Sequence, residues 1–178
     1  MPSPSNHRPD GSDRSGGDLS GAVCIYRVIT LWQPWASLAV EGVKRFETRP
    51  RPFPAKTLGT RVAFHAALRP VSARELGEEL HAICLDTFGC AYNHSLPRGV
   101  VVGTVGVVDN VSTDVRAPLV SAEDIACGDW RPGRWSIGLA DPIAFSRPVP
   151  AIGKQGWGSV WIDPSAFPLQ TPAEIPTG

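Results

Sequence analysis

No stretch of this chain is apolar over anything near the roughly 20 residues that cross a bilayer, and residues 1–21 lack the apolar run of a secretion signal. A cytoplasmic protein without a membrane anchor is the expectation. Charge of one sign is missing as well. Lys plus Arg number 17 and Asp plus Glu number 17, so no field of the whole molecule draws it to a polyanion, and any affinity for nucleic acid has to come from a local patch. Cysteines are few: Cys24, Cys84, Cys90 and Cys127 form no C-x-x-C pair, and a reducing cytosol keeps them as thiols. Gly and Pro, by contrast, number 18 each beside only 19% charged residues. That balance excludes a helical bundle and indicates a turn-rich globule of strands joined by loops.

The 178 residues give room for one compact core. Residues 2–21 are almost wholly Pro, Ser, Gly, Asn, Asp, His and Arg, with Leu19 the one sizeable apolar side chain, so a disordered leader is expected over 1–21. Pro164, Pro168, Pro172 and Pro176 recur every four residues and imply an extended Pro-rich tail over 164–178. The folded domain is expected over 22–163, with no internal repeat.

Val23 to Leu31 is rich in β-formers and reads as a first strand. Pro34 suits a first helical position and opens a short helix, Trp35 to Glu41, that Gly42 stops. Val43 to Arg49 alternates like a strand, as do Val62, Phe64 and Ala66. Ser72 and Glu75 form a capping box, Val71 is placed to staple to Leu76, and Leu76, Leu80, Ile83 and Thr87 follow at helical spacing; one helix from Ser72 to the stop at Gly89 is predicted. Gly99 to Val111 is dense in Val and predicts a strand buried on both faces, with Gly103 and Gly106 inviting the bulges that bend small barrels. A helical turn at Ser121 to Ala126 and strands around Trp135 to Leu139, Ala144 to Arg147 and Gly158 to Ile162 complete the pattern. The expected fold class is mainly β with short helices (α+β): a small β-barrel of about six or seven strands plus about two or three helices.

The segment from Thr30 to Arg61 is richest in chemistry. Leu31, Trp32, Gln33, Pro34 and Trp35 make an aromatic opening, and between Gly42 and Arg61 the cations Lys44, Arg45, Arg49, Arg51, Lys56 and Arg61 face the single anion Glu47, a local charge of +5. Aromatic faces stack on bases and Arg holds phosphates, so RNA or a modified nucleoside is the implied partner, with DNA open to the same chemistry. A solvated edge strand guarded by like charges accounts for the same composition. Glu47 and Arg49, two apart on a strand, share a face and pair, whereas Lys44 falls on the opposite face unless the turn after Gly42 carries it out of register. If the three converge, Lys44 and Glu47 are the candidate catalytic residues: Lys44 as nucleophile or base, Glu47 as proton carrier, and Arg49 as holder of an oxyanion or a phosphate.

Trp32, Pro34, Trp35 and Trp157 are the candidate walls of a ligand cleft, although indoles fill barrel interiors by default. His65 lies within a strand, as a partnered barrel histidine or as a ligand contact. The loop Gly153, Lys154, Gln155, Gly156 reads either as an ordinary glycine turn or as a base reader, with the Gln155 amide meeting a base edge. His81, Cys84, Cys90 and His94 are four potential zinc ligands, but the five residues between the cysteines exceed the spacing of common zinc knuckles. Neither a metal nor a cofactor is expected.

Gly42, Lys44, Glu47 and Arg49 match the G-x-K-x-x-E-x-R signature of ASC-1 homology (ASCH) domains, and Leu31 to Trp35 is similar to the segment that introduces it in the ASC-1-like branch. Trp135, Pro148, Val149 and the run Gly153 to Trp157 are similar to that branch's closing elements, so the resemblance covers roughly residues 25–163. It implies a PUA-like β-barrel with a cleft beside the helix that precedes the signature. Members of the family are proposed to bind RNA; some bacterial relatives are reported as amidohydrolases on acetylated cytidine, and at least one as a ribonuclease. The amidohydrolase pattern carries a Thr where this chain has Glu47.

Three functions remain open on this reading. The first is an RNA-binding module that recognises a base or nucleotide in a basic, aromatic-lined cleft. The second is a small hydrolase, a nucleoside amidohydrolase or ribonuclease, using Lys44, Glu47 and Arg49. The third is a protein-interaction module whose two tails make the contacts.

Overall fold

A computed structural model of the chain describes residues 24–168. The leader expected over 1–21 lies outside them, as do residues 169–178 of the expected tail.

Six strands form one curled sheet: β1 (Cys24–Leu31), β2 (Phe46–Arg49), β3 (Arg61–Ala66), β4 (Val100–Ser112), β5 (Trp135–Pro150) and β6 (Trp157–Ile162). They lie in the order β2-β5-β4-β3-β1-β6, and every pairing is antiparallel except β1 with β3. Six short α-helices decorate it: α1 (Trp35–Val40), α2 (Ala73–Leu76), α3 (Glu78–Phe88), α4 (Tyr92–Ser95), α5 (Thr113–Arg116) and α6 (Ala122–Ala126). The mainly β half-barrel matches the fold class read from the sequence. The helices are more numerous than expected because α4 and α5 are single turns of four residues, too short for a hydrophobic period to reveal.

Curvature comes from β4. Its register against β5 shifts at Val101/Gly103, Thr104/Gly106 and Val107/Asp109, so the two glycines that interrupt the Val run do sit at irregularities. Gly103 also makes room for α1, since a Cβ there would lie 2.8 Å from Val40 Cγ1. The helix crosses the hollow of the sheet and buries Ala36, Ala39 and Val40 with Ile29, Phe64 and Val105. Residues of β3 are covered on both sides: Val62 and Phe64 join the core under α1, while Ala63 packs with Val101, Phe145 and Ile162 on the other face. A third cluster, Leu38, Leu80, Cys84, Tyr92 and Cys127, fixes α3 and α6 against α1.

Three elements differ from the sequence reading. The helix predicted from Ser72 to Gly89 is two helices, because Gly77 takes φ +79° and ψ 164°, which no helix contains. The capping box belongs to α2, and Glu78 and Glu79 begin α3, where acidic groups suit the positive end of the helix. The strands expected around Trp135 to Leu139 and Ala144 to Arg147 are one strand, bent at Asp141 with φ 44°. Finally, β2 begins at Phe46 and not at Val43.

Candidate functional site

The late start of β2 assembles the site. Gly42, at φ +84°, ends α1, and the Lys44 backbone N–H returns to the Leu38 carbonyl at 3.0 Å, so residues 42–45 form a turn. The turn swings the Lys44 side chain inward. Its Nζ donates to the carbonyls of Phe46 (2.6 Å) and Cys127 (2.8 Å) and lies 3.3 Å from Glu47 Oε2. Lys44 therefore joins Glu47 on one side of the chain, which corrects the placement on opposite faces that a strand over Val43 to Arg49 implied. Two hydrogen bonds to carbonyls and an ion pair with Glu47 surround the ammonium. With Lys44 only 2% exposed, these partners are what make the buried charge tolerable.

Glu47 is also buried, and its other oxygen, Oε1, accepts from Arg49 Nε at 2.8 Å. Arg49 remains 30% exposed along its side chain, with Nη2 3.5 Å from the Thr30 carbonyl. The three residues thus run from inside to outside. Lys44 anchors Glu47, Glu47 orients Arg49, and Arg49 is the member that reaches solvent.

Two clefts meet here. The first, about 330 Å³, is lined by Trp35, Lys44, Glu47, Thr48 and Leu80. The second, about 510 Å³, is lined by Thr30, Arg49, His65, Gly153, Lys154 and Gln155. Trp32 lines both; it is 50% exposed and carries the Arg69 guanidinium 4.1 Å from its ring centroid. Of the residues singled out from the sequence, Trp35, Lys44 and Glu47 gather in the first cleft, Arg49, His65 and Gln155 in the second, and Trp32 between them. Pro34 is buried on a different side, in a small hollow beside Tyr92 and Arg98. Trp157 is half-buried in the main core, edge-on to Phe53 with ring centroids 4.7 Å apart.

His65 occupies the wall of the second cleft at 3% exposure. Its Nε2 lies 3.1 Å from the Ala151 carbonyl, and its Nδ1 is buried without a hydrogen-bond partner. Burial lowers the imidazole pKa from its ordinary value, and the carbonyls of Ala151 and Gly99 oppose that shift.

The +5 segment does not present one basic face. Arg45 turns to α6 and bonds Asp124 (Nε to Oδ1, 3.0 Å), and Arg61, at the far end of β3 from His65, bonds Thr104 Oγ1 (3.2 Å) and the Asp141 carbonyl. Lys154 and Arg69, outside the segment, bring cations to the second cleft and to Trp32 instead. Counting charge along the chain could not show this, because direction is set by partners far away in sequence. Nothing in the pattern points to Thr30 or Thr48 as site residues, and Lys154 is placed in its loop without a role of its own. Thr48 Oγ1 accepts from the Asp129 backbone N–H at 2.7 Å and ties the loop after α6 to β2.

Two of the four potential zinc ligands have other partners. His81 Nδ1 meets the Tyr92 hydroxyl at 2.7 Å, and the buried Cys84 thiol is pushed up to about 12 by desolvation. Among the described residues no three His, Cys, Asp or Glu side chains are grouped to hold a metal ion, and no helix is long and apolar enough to cross a membrane.

In its fold the chain is similar to solved structures of ASCH from Zymomonas mobilis. Two point mutants of that protein align at a TM-score of 0.45 each, with 17% and 18% sequence identity, over 79% of this chain and 91% and 89% of theirs. A further structure of ASCH from the same organism gives a TM-score of 0.44 and 19% identity over 76% of this chain and 86% of the other. No protein-family model matches the chain, and no curated protein matches it.

Proposed function

We propose that this chain is an ASCH-type module that binds single-stranded RNA through a base and its phosphates at the two clefts around Trp32. The observation that carries the reading is the position of Trp32, half-exposed between both clefts, with Arg49 held beside it by the buried Glu47. An indole in the open offers a stacking face worth about 1–3 kcal/mol per base. Arg49 and Lys154 add the charge that phosphates require. The spacing of Gly42, Lys44, Glu47 and Arg49 supports the same reading, since the last three are joined through the Glu47 carboxylate.

Titration of labelled single-stranded RNA at low and moderate salt tests it. Affinity should fall with salt, and Trp32→Ala and Arg49→Ala should each weaken binding by roughly tenfold. Absence of salt-sensitive binding to RNA defeats the proposal.

A hydrolytic reading has one observation in its favour, the buried Lys44–Glu47 pair opening on the 330 Å³ cleft. Lys44 could act as nucleophile or base only after giving up the two carbonyl contacts and the ion pair with Glu47 that now hold its ammonium. Product analysis on acylated nucleosides and short RNAs, with Lys44→Ala as control, separates turnover from binding.

A further inference from the structure

Thr30 and His65 are register partners in the parallel β1–β3 ladder, and both line the second cleft. A carbonyl can only accept, so the 3.1 Å contact between His65 Nε2 and the Ala151 oxygen places a proton on Nε2. In the neutral ring the lone pair then lies on Nδ1. That atom is buried and unanswered. Buried polar atoms in folded proteins almost always have a partner; among the described residues Asn93 Oδ1 is the other exception, and one in the wall of the larger cleft needs an explanation.

The surroundings supply one. A half-exposed indole, Trp32, two cations, Arg49 and Lys154, and the Gln155 amide share the cleft with His65. Its volume, about 510 Å³, falls within the usual size of small-ligand sites. We propose that the second cleft is the base pocket, in which a nucleotide unit donates a base N–H to His65 Nδ1 while Arg49 and Lys154 hold its phosphate. This rests on the nucleic-acid reading above and assigns the base to this cleft instead of the one over Lys44 and Glu47. Every common base carries an N–H donor, so the acceptor distinguishes a base from a bare sugar phosphate without choosing among bases.

Gly153 controls access. A Cβ at this position would lie 2.6 Å from His65 Cε1 and 2.9 Å from Nδ1, so the bare backbone rests on the edge of the ring that holds the free lone pair. The base reaches Nδ1 by displacing Gly153, and the loop from Ile152 to Gly156 is the cover that moves while the Ala151 carbonyl stays on Nε2.

Calorimetry on the full chain at low salt, with CMP, UMP, AMP, GMP and ribose 5-phosphate, tests the assignment. At least one monophosphate should bind ten times or more tightly than ribose 5-phosphate. His65→Gln keeps an N–H near the Ala151 carbonyl and removes Nδ1; it should erase that preference, bringing the monophosphate down to the ribose 5-phosphate affinity measured on the same variant. In the wild-type chain, nitrogen NMR of the imidazole should show the Nδ1 resonance moving when the monophosphate is added, a readout that needs no variant. A preference that survives in a folded His65→Gln, or a static Nδ1 resonance at saturation, overturns the assignment. Salt-sensitive RNA binding without any preference over ribose 5-phosphate overturns it alone; loss of RNA binding as well takes the functional reading with it.

Discussion

Lys44 Nζ stands 3.3 Å from Glu47 Oε2, and both side chains are sealed from solvent, at 2% and 8% exposure. The pair is the inner half of a relay whose outer half is the 2.8 Å contact between Glu47 and Arg49. A buried carboxylate between two cations cannot drift, so the one cation that reaches the surface is fixed in direction. Pre-ordering of this kind reduces the entropy that a long Arg side chain loses when it meets a ligand.

Removing one partner of the buried pair should be far worse than removing both. Lys44→Met leaves Glu47 in the interior with only Arg49 to balance it, and should cost about 3–5 kcal/mol in urea unfolding. The double variant Lys44→Met with Glu47→Leu should recover part of that loss. A single variant as stable as the parent would show that the pair is not buried as described.

Gly103→Val should destabilise the fold by about 3 kcal/mol or more, because a Cβ there would lie 2.2 Å from the Ile143 carbonyl oxygen of β5 and 2.8 Å from Val40 Cγ1. Val40→Ala removes only the Cγ1 contact and leaves the Ile143 oxygen and the residue-40 Cβ in the way, so the double variant should recover little of the loss. Thermal melting of the four chains measures this coupling.

Gly103 and Gly106 were legible because glycine inside a Val-rich run has few other uses, and the capping boxes at Ser72 and Ser121 announce their helices locally. The site was legible in part. The spacing of Lys44, Glu47 and Arg49 marked it, yet the pattern from Val43 to Arg49 suits a strand, and the turn that overrides it depends on the Leu38 carbonyl and on Cys127, 83 residues from Lys44. His65 likewise gains its tautomer from Ala151, 86 residues away. Contacts at such separations leave no period in the sequence. The same reason explains why Arg45 and Arg61, counted with the patch, serve α6 and the far side of the sheet.

Acidification should weaken the fold through His65. Its pKa in the folded chain is lowered from 6.5, chiefly by burial, so the unfolded chain takes up the proton first as the pH falls. The stabilisation is complete above the ordinary value of 6.5 and is lost progressively on going below it toward the lowered folded-state value. Urea midpoints measured from about pH 7.5 to about pH 5.5 should decline in the parent and decline less in His65→Gln, whose side chain does not titrate. Equal slopes would mean that the imidazole is not buried neutral.

Trp32 offers the sharpest separation of function from fold. Half of its surface is already in solvent, and its neighbour Arg69 is an exposed cation whose stacking at such a site contributes only about 0.5–1 kcal/mol. Trp32→Ala should therefore change the unfolding free energy by about 1 kcal/mol or less while weakening single-stranded RNA binding by roughly tenfold or more. Trp157→Ala makes the opposite cut: its ring packs against Phe53 in the core, and its loss should cost about 3–5 kcal/mol of stability. Chemical denaturation and RNA titration on the two variants give the comparison. If Trp32→Ala unfolds the chain as readily as Trp157→Ala, the indole is a structural pillar, and the two clefts lose the stacking surface on which the binding proposal depends.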